Sequence, residues 1–174
     1  MTLSRTICFA FSLVACGLCA SCESQAPQTG ETVEREGEPA ITYIKADDPK
    51  MLAAIETARS TFDQFQAAFK ESKPSQSDFS VKVLIKEGEH QEHVWTTPVS
   101  FSDEEYIGTL DNDPYQIKTM ILGDEVRTPK NQISDWMYVE NGKLVGGYTV
   151  RALRDHLPDK ERQEFEQGLP FKIE

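Results

Sequence analysis

The hydrophobic period of this chain changes at Pro74, and that change limits the fold more than any other feature. Before it, Ile55, Ala58, Phe62, Phe65 and Phe69 recur at three- and four-residue intervals, with Met51 and Leu52 one turn earlier. This spacing predicts one long amphipathic helix. Asp47-Asp48-Pro49 supplies its N-cap and first-turn proline, and Pro74 forbids continuation. After Pro74, Phe79, Val81, Val83 and Ile85 alternate with polar residues, Lys86-Glu87-Gly88-Glu89 turns the chain, and His93, Trp95, Val99 and Phe101 alternate back. A period of two over that length is a β-hairpin. Residues 106–110 read as a short strand closed by Asp111-Asn112-Asp113-Pro114, with weaker strands at 117–122 and 125–128. A second hairpin joins 133–139 to 143–148 through Asn141-Gly142, a pair suited to the type I′ turn. Thr149 caps a helix running to Leu157, and Pro158-Asp159 starts another that Gly168 and Pro170 stop. The fold class expected is α+β, with one long N-terminal helix packed across a mainly antiparallel sheet of five to seven strands and short C-terminal helices at an edge.

The cysteines divide the chain differently. All four, at positions 8, 16, 19 and 22, precede residue 23, so the domain expected over 47–174 contains no disulfide and must hold itself by packing. Its length suits a single core. Residues 1–15 read as a lipoprotein signal: Arg5, an apolar run from Ile7, then Leu13-Val14-Ala15 before Cys16. The run is well short of the roughly 20 residues that span a bilayer. Cys16 is the expected lipidation site, with Cys22 as the alternative that lacks a bulky aliphatic residue three positions upstream. Two or more acyl chains on one residue give stable membrane attachment. Gly17, which is not the aspartate associated with inner-membrane retention, points to the outer membrane of a bacterial envelope, facing the periplasm. Residues 16–46 then form a lipidated flexible tether. From Glu23 it is polar and poor in aromatics, with a coil reach of about 25–30 Å, and residues 41–44 are candidates for an edge strand at its end.

Acidity excludes one class of partner. Against 18 Lys and Arg stand 29 Asp and Glu, a net charge of −11. Nucleic-acid affinity rests on a basic face, so it is not expected here. The chemistry motifs are equally restrictive. Glu89-His90-Gln91-Glu92-His93 invites a zinc reading, but its histidines are three apart in an extended segment and point to opposite faces, so no metal site is expected. With no cysteine after position 22, a thiol nucleophile is excluded from the domain. Ser102-Asp103 and Ser134-Asp135 lack the glycines of a nucleophile elbow. No phosphate-cradling loop implies a cofactor either, since Gly146-Gly147 lies in a predicted strand and marks a bulge or close backbone approach.

A series of motifs carries further information: Glu92-His93-Val94-Trp95, then Gly108-Thr109-Leu110-Asp111-Asn112-Asp113-Pro114, Gly123-Asp124-Glu125-Val126, Ile133-Ser134-Asp135-Trp136-Met137-Tyr138 and Gly146-Gly147-Tyr148-Thr149-Val150-Arg151. In this order they resemble the YegJ-like bacterial domains of unknown function, over about residues 47–165. The resemblance implies a small, often exported α+β domain, sometimes found beside repeat modules, and supplies no catalytic residues.

Within those motifs, Glu92, His93, Asn112, Asp135 and Trp136 are the candidate binding residues, expected to converge at one end of the sheet as a polar pocket rimmed by aromatics. The plainer expectation is structural. His93 then sits hydrogen-bonded beneath Trp95, on a face shared with Val99 and Phe101, Asp135 accepts backbone N–H bonds and Asn112 fixes a turn. Two functions follow. The first is a lipid-anchored envelope protein with a non-catalytic domain that binds a protein or peptide partner. The alternative is an envelope hydrolase using His93 as general base, oriented by Glu92 or Asp135.

Overall fold

Asp48 starts the first helix as its sequence predicts: its carboxylate accepts the Met51 N–H at 2.9 Å, and Pro49 follows without loss of an internal bond. The computed structural model describes residues 47–102 and 104–174, together with the course of two earlier strands, β1 (Thr32–Arg35) and β2 (Glu38–Thr42). These pair antiparallel within the stretch expected to be a flexible tether, with Val33 in register with Ile41. The expected signal at 1–15, Cys16 and Cys22 lie outside the described residues.

In place of one long helix there are two, α1 (Pro49–Ser60) and α2 (Phe62–Lys70), meeting at Thr61. The break has a local cause. The hydroxyls of Ser60 and Thr61 bond back to the Thr57 carbonyl, while the indole of Trp136 donates to the Ala58 carbonyl at 2.9 Å. Side chains inserted into the helical ladder in this way bend or interrupt it. The phenylalanine stripe survives the break. Phe65, with no exposed surface, lies 5.7–6.0 Å from the rings of Phe79, Phe101 and Trp136, and Phe69 lies 5.4 Å from Phe101. Burying one such ring contributes about 2–3 kcal/mol, and each edge-on aromatic pair about 0.5–1.5 more.

These rings fill the concavity of a six-stranded antiparallel sheet: β3 (Gln76–Glu87), β4 (His90–Phe101), β5 (Glu105–Leu110), β6 (Glu125–Pro129), β7 (Ile133–Glu140) and β8 (Lys143–Gly146), in the spatial order β6-β5-β4-β3-β7-β8. Only Lys130–Gln132, a 3₁₀ turn, separates β6 from β7. In a flat sheet those strands would stand four spacings apart, about 19 Å, whereas the four chain steps from Pro129 to Ile133 reach at most about 14 Å. The sheet must therefore curl around α2. Irregular register at Ser77–Ser80, Lys82–Val83 and Pro98–Ser100 supplies the bends.

Both hairpin turns follow their residues. Gly88 takes a φ of 56° at the first position of the β3–β4 turn, while Asn141 and Gly142 both have positive φ, as a type I′ turn requires. Three local expectations change. Residues 117–122 are not a strand: the N–H groups of Ile121 and Leu122 are taken by the carboxylates of Asp124 and Asp113, and buried Ile117 anchors the loop. Tyr148 leaves the strand because Gly146 and Gly147 both turn left-handed, and α3 (Tyr148–His156) begins there, followed by α4 (Asp159–Gly168). Val94, Thr96 and Pro98 of β4 face the core; the bulge at Val99 then brings Phe101 to the same side, leaving His93 and Trp95 on the opposite face.

Candidate functional site

The five candidate residues do not share a pocket. Glu92 sits on the core face of β4 near the hairpin end, and its two oxygens accept the N–H groups of Tyr115 and Gln116 at 2.9 and 2.7 Å. Asn112 donates to the carbonyl of Asp113, fixing its own turn at the root of the same loop. His93 is exposed on the other face. Asp135 and Trp136 are buried in the middle of the domain. Two open concavities, one lined by Glu166, Leu169 and Phe171 and the other by Ser102, Glu105 and Pro129, contain none of the five. Alternation separates them: Glu92 and His93 are consecutive on a strand, so their side chains diverge.

The same geometry dismantles the expected acid–base set. Glu92 cannot orient His93 from across the sheet. Asp135 is fully committed, with one oxygen accepting from the N–H groups of Trp136 and Tyr148 and the other from the N–H and hydroxyl of Thr149, at 2.6–3.1 Å. It caps the N-terminus of α3 from a distant strand, the work a local N-cap side chain does elsewhere. Burial pushes its carboxyl pKa up, and the Thr149 bonds and Lys82 push it back. Among the described residues no carboxylate lies within hydrogen-bonding reach of His93, and none form a group of three or more that could hold a metal.

What the structure brings together instead is a row across β7, β3 and β4 on the face opposite the aromatic core, with its Asp135 end buried under the start of α3. Cross-strand register places Asp135 of β7 beside Lys82 of β3, and Lys82 beside Trp95 of β4. The Lys82 ammonium lies 5.4 Å from the centre of the half-buried Trp95 ring. Lys82 is itself half-buried; desolvation lowers its pKa, and Asp135 partly restores it. Arg59, from the last turn of α1, donates its Nε to the Ile133 carbonyl at 2.7 Å. Desolvation, then the charges of Lys82 and Arg59, push the pKa of His93 well below its ordinary value.

A model of the family described as uncharacterized protein conserved in bacteria, DUF2314, matches residues 48–171, from the Asp48 cap to Phe171. The chain belongs to this family. Uncharacterized protein YegJ of Escherichia coli is 35% identical over 123 residues, covering 71% of this chain and 79% of YegJ. A putative ankyrin repeat protein of Neisseria meningitidis is 35% identical over 145 residues, covering 78% of this chain but only 57% of that protein. No solved structure matches. The YegJ-like resemblance read from the ordered motifs is therefore correct.

In this DUF2314 domain, Lys82 and Arg59 were absent from the expected site. One of them was legible: a two-residue turn at Gly88-Glu89 pairs Glu87 with His90, and counting back sets Lys82 opposite Trp95. Arg59 carries no comparable signal, because its neighbour on β7 comes from 74 residues away.

One further polar pair is sensitive to pH. His156 of α3 presents Nδ1 to the Ala152 carbonyl at 2.6 Å and Nε2 to the Asp48 carboxylate at 2.9 Å. Both ring nitrogens face acceptors, an arrangement that only the imidazolium satisfies. The Ala152 bond, and then Asp48, raise the His156 pKa above 6.5, while the Met51 N–H and His156 lower that of Asp48 below 3.8. A raised histidine stabilises fully below its unfolded value and loses that contribution as pH rises through its folded one. The lowered aspartate loses its contribution as pH falls through its own. The pair is therefore strongest between about pH 4 and 6.5. Thermal melts should show Tm declining between pH 6 and pH 8.5, and His156→Gln should flatten that decline; an equally steep decline in the variant would remove the pair as its cause.

Proposed function

We propose that this protein is a lipid-anchored binding module of the bacterial cell envelope. Acyl chains on Cys16 hold it at the outer membrane, facing the periplasm, and the DUF2314 domain engages an envelope protein or peptide through the outer face of β4. The observation that carries the reading is the contrast between the two sides of that strand. The inner side is sealed by aromatics, while the outer side presents Trp95, exposed His93 and Val99 with 54% of its surface open, beside the Lys82 ammonium. A half-open tryptophan with a cation over it is the kind of anchor binding surfaces use. The leader ending in Leu13-Val14-Ala15-Cys16 supports the location.

A photocrosslinking residue at Thr97, exposed on the outer face, tests both halves in intact envelopes, with Lys160, 87% exposed on α4, as the control position. Adducts are expected from position 97 and not from 160, and Cys16→Ser should abolish them while releasing the protein from the membrane fraction. Equal labelling at both positions, or native protein whose Cys16 proves unmodified by intact mass measurement, would overturn the reading.

A further inference from the structure

We infer that Asn141 is a site of spontaneous modification, losing its carboxamide by ring closure onto the Gly142 backbone nitrogen, and that the isoaspartate so formed loosens the C-terminal segment from the edge of the sheet. Glycine in second place leaves no side chain in the way of the ring. Both residues are exposed, and no atom lies within 4 Å of where a Gly142 Cβ would stand, so the ring has open space. Neither reacting group is engaged. Among the described residues the Asn141 carboxamide and the Gly142 N–H have no hydrogen-bond partner; the turn is held by the Asn141 N–H on the Ser75 carbonyl at 3.0 Å and by the Gly142 carbonyl, which accepts the Lys172 N–H at 2.9 Å. The other two asparagines differ. Asn112 donates its amide to the Asp113 carbonyl, and Asn131 lies in the 3₁₀ turn before Gln132.

In the reaction the Gly142 nitrogen gives its proton to hydroxide and bonds to Cγ of Asn141. The bond from Cγ to the amide nitrogen breaks, and that nitrogen leaves as ammonia, taking a proton from water and restoring the hydroxide. Water then opens the succinimide at either carbonyl, giving aspartate or isoaspartate. The two products act differently on the fold. Aspartate keeps the backbone and tolerates the left-handed φ of 51°. Isoaspartate adds a methylene to the main chain inside a turn that pairs Glu140 with Lys143 and Val139 with Leu144, so it shifts that register. The Lys172 N–H then loses the Gly142 carbonyl and the Lys172 carbonyl loses the Leu144 N–H, two bonds of 2.9 Å that hold the C-terminal segment beside β8. What remains polar is the Arg151 bond to the Glu174 carbonyl and the exposed, weak Lys143–Glu174 ion pair. The β8 edge is left unpaired, the kind of edge to which other strands add.

The full chain, incubated in mildly alkaline buffer and then mapped by peptide mass and isoaspartate assay, should show conversion at Asn141 and none at Asn112 or Asn131. Hydrogen exchange on the same sample should show protection lost at the Lys172 and Leu144 amides in the isoaspartate fraction and kept in unconverted protein. Asn141→Gly is the control, since Gly-Gly suits the same turn but has no carboxamide to lose. It should pass through the incubation unconverted and with Lys172 protected. An intact Asn141, or equal conversion at all three asparagines, overturns the site. Isoaspartate with Lys172 still protected, or protection lost equally in Asn141→Gly, overturns its link to the C-terminal segment.

Discussion

Replacing Asp135 with alanine is expected to lower Tm by roughly 10–20 °C, the largest effect of any polar substitution in this domain. The carboxylate satisfies four donors at once: the N–H groups of Trp136, Tyr148 and Thr149, and the Thr149 hydroxyl. Removing it strands those groups in a region without solvent, at about 1–3 kcal/mol each, and leaves the first turn of α3 without its cap. Because such losses are not additive, a total of about 3–5 kcal/mol is expected. Asp135→Asn separates charge from shape. Its amide NH₂ would confront N–H groups where an oxygen now accepts, so it should lose most of the same stability. A silent Asn variant in urea unfolding would mean that Asp135 is protonated in the native domain, the state its burial favours. A silent Ala variant would mean that the cap does not hold α3 at all.

The residue was visible in the sequence for the wrong reason. Asp135 stood out as a carboxylate beside a tryptophan, and acceptance of the Trp136 N–H could be anticipated from adjacency alone. Its partners at 148 and 149 could not, because they arrive through the β7–β8 turn and two left-handed glycines that no periodicity reports. The same division runs through the fold. Locally coded features were legible: the Asp48-Pro49 helix start, the phenylalanine stripe, the Asn141-Gly142 turn and the Pro158-Asp159 start of α4. Features created by contact between distant segments were not. The helix breaks at Thr61 because an indole from β7 occupies a carbonyl of α1, and β4 changes face at Val99 because the sheet must curl. The candidate site failed at this level: five residues of striking type were grouped by motif order, whereas strand alternation and the register of β3 with β7 decided which faces they occupy.

The order of those contacts makes Gly146 the second decisive position. It closes β8 with a φ of 71°, and a Cβ built there would stand 2.5 Å from ring carbons of Trp136 and closer still to its backbone oxygen. Real Cβ atoms do not approach so closely, so Gly146→Ala must part β8 from β7 at the point where Trp136 also bonds α1. The left-handed φ adds about 1 kcal/mol for any residue with a side chain, and displacement of packed backbone adds more, for an expected loss of about 3–5 kcal/mol. Gly147→Ala is the control. Its φ of 62° is similarly left-handed, but the atoms in the way belong to the Leu144 side chain, which can rotate aside. That variant should lose only about 1–2 kcal/mol. If urea denaturation gave the two alanine variants equal losses, the cost would lie in backbone conformation alone. The close contact with Trp136 would then not be what fixes α3 against the sheet.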